Sequence, residues 1–109
     1  MAITSTQSKN PASVSQVAVG RYITTGTAAA FTITTGFKPR YVKVLNATSR
    51  DWYEWFEGMA DAEAHKTVAA GTGTRITTLG ITVSSSGFTV GLDTDVNVTS
   101  EQISWMAIQ

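Results

Sequence analysis

The residues able to do chemistry are few and poorly placed for it. His65 is the only histidine, and no neighbour stands at the spacing of a metal ligand or of a nucleophile relay. Glu54 and Glu57 lie an odd number of residues apart, so on a strand they project to opposite faces and make no acid/base pair. Asp61 and Glu63 share a parity but fall in a segment without clear periodicity, and they read as solvated loop charges. Asp93-Thr94-Asp95-Val96-Asn97 opens like a calcium loop. The comparison then fails, because Val98 stands where the sharp-turn glycine belongs and Ser104 where the bidentate glutamate belongs. A polar turn leading into the last strand is the expected structure. Gly71-Thr72-Gly73-Thr74 lacks the lysine and the strand–loop–helix context of a phosphate cradle. Asn46-Ala47-Thr48 and Asn97-Val98-Thr99 match the glycosylation acceptor pattern but read as turn residues in so Thr-rich a chain. The expectation is no catalysis, no metal and no cofactor.

The aromatic residues carry more information. Tyr41, Trp52, Tyr53, Trp55 and Phe56 cluster within sixteen residues, with Arg40, Lys43 and Arg50 nearby. Such rings serve as core, as an intersubunit contact, or as a platform for stacking sugars or bases. Core packing or a subunit contact is the stronger reading. Arg40, Tyr41, Lys43, Trp52, Trp55 and Phe56 are therefore the candidate interface residues of the body of the protein.

Period-2 patterning dominates the elements that must position these residues. Val17, Val19, Arg21 and Ile23 alternate with Ala18, Gly20 and Tyr22. After the turn signal Thr25-Gly26-Thr27, residues 30–34 (AFTIT) resume the alternation, so the spacing predicts a hairpin. Pro39 sets φ ahead of the strand 40–45, in which Val42 and Val44 share one face and Tyr41, Lys43 and Leu45 the other. A polar turn, 46–51, leads to a partner strand over 52–57, with Tyr53 and Trp55 opposite Trp52, Glu54 and Phe56. Aromatics on both faces imply either that both are covered or that one meets another subunit. Residues 59–66 (MADAEAHK) favour helix in composition without an amphipathic stripe, so at most one helical turn or an irregular loop is expected there. A strand follows within 67–78, then strand–turn–strand over 80–91, and an apolar terminal strand over 102–108 that should be paired. The fold class expected is all-β: an antiparallel β-sandwich or jelly-roll-like barrel of about seven to eight short strands with an extended N-terminal arm.

Residues 1–13 (MAITSTQSKNPAS) are polar, and Pro11 removes a backbone donor. They read as a flexible arm or as one ordered by a neighbouring subunit, with Lys9 and Pro11 as its candidate contacts. Residues 14–109 read as a single β domain. Eight basic and eight acidic residues cancel, which argues against a nucleic-acid partner. No apolar run is long enough to span a bilayer, and the polar start lacks a signal-peptide core, so an intracellular product with no membrane partner is expected. With no cysteine, disulfides and thiol chemistry are excluded. Only 15% of residues are charged, which is poor for solubility as a free monomer and suits a protein that lives assembled.

Residues 36–46 (GFKPRYVKVLN), 53–60 (YEWFEGMA) and Lys66-Thr67, continued by 80–82 (GIT) and 87–91 (GFTVG), resemble small β-rich virion proteins encoded among the structural genes of tailed bacteriophages. The nearest subclass is the head decoration, or cement, proteins, and the likeness spans roughly residues 36–107. The resemblance implies a protein made in the host cytoplasm that binds the outer surface of the capsid. Its partner would be the major capsid protein, and it would act as a homo-oligomer, often a trimer. The competing reading is a tail-fibre or adsorption-device module that binds host glycans through the aromatic face; a glycan-hydrolase fragment is a distant third.

Overall fold

The computed structural model describes residues 16–109; the expected arm, with Lys9 and Pro11, lies outside these. Eight strands run through the described residues: β1 (Val17–Ile23), β2 (Phe31–Thr34), β3 (Tyr41–Asn46), β4 (Asp51–Phe56), β5 (Glu63–Thr67), β6 (Gly73–Ser84), β7 (Gly87–Val90) and β8 (Gln102–Ile108). All pair antiparallel in one sheet of order β1-β8-β3-β4-β5-β6-β7-β2, curled into a half-barrel. The all-β expectation holds, and the described residues contain no helix.

The curl originates in β6. Its first residues, from Gly73 to Ile76, pair with β5, whereas Ile81 to Ser84 pair with β7. Between them the register slips, with Ile81 opposite Glu63, and Leu79 takes a left-handed φ of 62°. Gly80 sits at this bend, where a Cβ would lie 2.7 Å from the Glu63 carbonyl oxygen, so only glycine fits the close backbone approach. The bend folds β7 and β2 over β8 and β1. Phe88 of β7 then meets Trp105 of β8 edge-on at 5.5 Å, and Tyr22 of β1 meets Phe31 of β2 at 4.5 Å. The shortest dimension, 19 Å, is that of two packed layers.

The core fills the space between the layers. Alternation sends Val42 and Val44 of β3, Tyr53 and Trp55 of β4, and Ile103 and Ala107 of β8 inward, against Ile33, Ile81, Phe88 and Val90 from the opposing layer. Tyr53 is fully buried, and its hydroxyl donates to the Leu79 carbonyl at 2.8 Å, tying β4 to the bend in β6.

Two local expectations are corrected. β1 and β2 are not a hairpin: β1 pairs with β8 and β2 with β7. Period-2 patterning identifies strands but carries no information about partners, and the segment between these two crosses from one layer to the other. That crossing is held by the Ser100 amide on the Thr24 carbonyl (2.8 Å) and by Asn97 Nδ2 on the Ala29 carbonyl (2.9 Å). The helix-favouring stretch 59–66 ends in strand β5, which pairs on both sides with β4 and β6. Two neighbouring ladders outweigh the few tenths of a kcal/mol per residue (~0.5) by which such residues prefer helix.

Candidate interaction face

The same alternation that fills the core leaves the outer face of β1, β8, β3 and β4 without a covering layer among the described residues. Cross-strand register arranges this face in rows. One row is Val17, Ile108, Tyr41, Phe56; the next is Val19, Met106, Lys43, Glu54, His65; a third is Arg21, Ser104, Leu45, Trp52. Val17, Val19, Ile23 and Phe56 are each at least half exposed, while Leu45, Trp52, Met106 and Ile108 are partly exposed. A shallow groove of about 240 Å³ runs between β3 and β8, lined by Lys43, Leu45, Ser104, Trp105 and Met106.

Polar atoms on this face are tied to its rings. Tyr41 packs edge-on against Phe56 at 5.0 Å and donates its hydroxyl to Glu54 at 2.9 Å. Partial burial, then the Glu54 carboxylate, push the Tyr41 phenol up to about 12. Lys43 Nζ lies 5.4 Å from the centre of the Trp52 ring, covering part of it with a cation–π contact. Arg40 reaches Glu57 at 3.7 Å on the rim. Of the sequence candidates, the structure thus gathers Tyr41, Lys43, Trp52 and Phe56 on one face, with Arg40 beside them. Trp55 is separated from the group: it points into the core at 5% exposure, and its indole donates to the Ala60 carbonyl.

The other candidate groups sit in structural roles. His65 is exposed on β5 with its ring over Gly73, where a Cβ would approach it to 2.7 Å. Glu63 is buried and bonds Arg75 at 2.6 Å. The 93–97 segment is more than a surface turn. Lys66 Nζ lies 3.0 Å from both Asp93 carboxylate oxygens and also pairs with Asp95, so an ammonium occupies the space between these carboxylates. Burial pulls the Lys66 pKa down, but the bonds to Asp95 and Asp93 outweigh it and the net shift is upward. Asp93 Oδ1 also accepts the Asp95 amide, closing an Asx turn. Among the described residues no group of three or more His, Asp or Glu is placed to hold a metal.

Two asparagines that the sequence marks only as turn residues, Asn46 and Asn97, are buried. Asn46, fully buried, donates to the carbonyls of Asp95 and Val96 and to Glu101, and accepts the amides of Thr48 and Ser49. Asn97 accepts the Tyr22 hydroxyl at 3.1 Å and donates to the carbonyls of Ala29 and Gly91. Both begin an Asn-X-Thr triplet, and the hydrogen bonds of the buried amides account for asparagine at each position. Their double donor and acceptor capacity staples the β3–β4 turn, the 91–101 segment and the 24–30 crossing together.

No family model, curated protein or solved structure matches the chain.

Proposed function

We propose that this chain is a non-catalytic structural protein of a tailed-phage virion, a decoration protein that docks on the capsid through the outer face of β1, β8, β3 and β4. The observation that carries the reading is the ordered set of exposed and partly exposed aliphatic and aromatic side chains on that face, from Val17 and Val19 through Met106 to Trp52 and Phe56. Apolar side chains interspersed with charged groups, here Arg21, Lys43 and Glu54, serve protein contact. The β3–β4 hairpin at one side of this face also carries much of the likeness to virion proteins.

On this reading the major capsid protein supplies the complementary surface. Burying apolar area returns about 25 cal/mol per Å², and the mixed polar rim sets orientation rather than strength. A ligand that binds only the assembled lattice stabilises that lattice by mass action, and symmetric copies add avidity to weak single contacts. The partly exposed Trp52 ring beside Leu45 favours glycan stacking as the second reading, although Lys43 already covers part of the indole.

Co-sedimentation of the purified protein with mature capsids of the phage that encodes it tests the proposal. Saturable binding at a fixed ratio to capsid protein is expected. Absence of capsid binding, together with saturable binding to host-surface glycans, would replace decoration by adsorption.

A further inference from the structure

β1 lies at one end of the sheet, and among the described residues no strand pairs with its outer side. The phase of its ladder says which backbone groups face that side. The β1–β8 register of Val17 with Ile108 continues to Gln16 and Gln109, where the Gln109 amide donates to the Gln16 carbonyl at 2.9 Å. In an antiparallel ladder alternate residues bond to alternate sides. Gln16, Ala18, Gly20 and Tyr22 therefore bond to β8, and the N–H and C=O groups of Val17, Val19, Arg21 and Ile23 point to the open edge.

Open edges are normally blunted by shortness, proline, lysine or a bulge. The opposite edge strand, β2, has four residues and is blunted by its length. β1 has seven residues in unbroken register, no proline, no lysine and a single charge, Arg21. Its exposed residues include Val17, Val19 and Ile23, which β-propensity favours for pairing.

We propose that β1 pairs antiparallel with β1 of a second copy of this chain, about a two-fold axis at Gly20. Only this full-length register satisfies three conditions at once. Positions 17, 19, 21 and 23 face positions 23, 21, 19 and 17 of the second copy, so every outward-pointing backbone group meets another. Arg21 lies opposite Val19 of the second copy; a slip of one pair, centring on Arg21, would set the two guanidinium groups face to face. At the axis Gly20 meets Gly20, on the side of the sheet where the Trp105 ring lies so close that any Cβ at position 20 would come within 2.5 Å of it. The pairing makes one continuous sheet across two copies, and it joins their outer apolar rows side by side. It stands whether or not the capsid reading does, because it concerns the chain on its own.

The test is light scattering of the full-length chain across a concentration series, with amide hydrogen exchange on the same samples and no capsid present. The expected result is a dimer in which the Val17, Val19, Arg21 and Ile23 amides gain protection as dimer forms, while Ala18, Gly20 and Tyr22 are protected throughout. Val19→Lys places a like charge opposite Arg21 of the second copy and should shift the dimer to monomer; Val19→Glu should tighten it. Val19→Pro removes a donor used only at the seam, so it should give a monomer with the β8 ladder intact. Three results overturn the proposal: a trimer; a monomer with the odd-numbered amides exposed; or a monomer in which residues 1–15 protect them. Equal effects of the Lys and Glu substitutions on a persisting dimer would overturn the register.

Discussion

Gly20 and Trp105 meet across the β1–β8 seam at a distance no side chain can share. Gly20→Ala forces the indole to move within a packed layer that also holds Phe88, and overpacking of this kind costs about 1–3 kcal/mol. Chemical denaturation of the variant should show that loss; an unchanged midpoint would mean the indole is loosely held. Trp55 has the opposite character. It is buried among core side chains, so Trp55→Ala should cost about 3–5 kcal/mol through the cavity it leaves. A loss below about 1 kcal/mol would place that ring at the periphery. Asn46 belongs with these residues although it is polar. Asn46→Ala strands two carbonyls and two amides at a buried turn, and about 1–3 kcal/mol for each unmet buried group sets the scale.

At the scale of elements, legibility followed period. Wherever apolar and polar residues alternate, in β1, β3, β4 and β8, the strand was readable; which face turns inward was not, and in β1 the more apolar set, Val17, Val19 and Ile23, lies outward. β5 was not, because Glu63, Ala64, His65 and Lys66 carry helix-favouring composition, and their strand geometry comes from the ladders on either side. Partner choice was equally hidden for β1 and β2, since it depends on the bend in β6, some fifty residues away in sequence. Of the interaction face, the aromatic residues of β3 and β4 were legible, but the contribution of β1 and β8 emerges only from register. Lys66 shows how these elements are locked. It joins β5 to the 93–97 turn, and Lys66→Ala leaves Asp93 buried without its cation. Breaking a buried pair costs about 3–5 kcal/mol; the lower end is expected here because Asp95 is half in water. Rescue by Lys66→Arg, at least in part, would separate lost charge from lost packing.

For the whole molecule, the buried phenols predict a loss of stability at alkaline pH. Burial raises the Tyr22 phenol from 10.0 to about 12; burial and then Glu54 raise Tyr41 to about 12; burial and then Asp93 raise Tyr53 further. The Lys66 pKa is raised as well. A group whose folded pKa exceeds its unfolded value gives its full stabilisation below the unfolded pKa and loses it as pH rises through the folded one. The denaturation midpoint should therefore be insensitive to these groups near neutrality and fall between about pH 10 and 12. Tyr22→Phe should flatten part of that fall, at the expense of the hydroxyl bond to Asn97. A midpoint that stays level to pH 12 would show that the phenols ionise freely in the folded protein. Molecular scale is also where the proposed role of the outer face is tested: the fold packs one surface of the sheet and leaves the other, with its mixed apolar and charged rows, uncovered among the described residues. The most direct measurement is saturation binding to mature capsids by the wild type and by a Leu45→Glu, Met106→Glu variant whose fold is verified by circular dichroism. The account predicts stoichiometric, saturable binding that the double substitution abolishes; equal binding by both proteins, or none by the wild type, would contradict it.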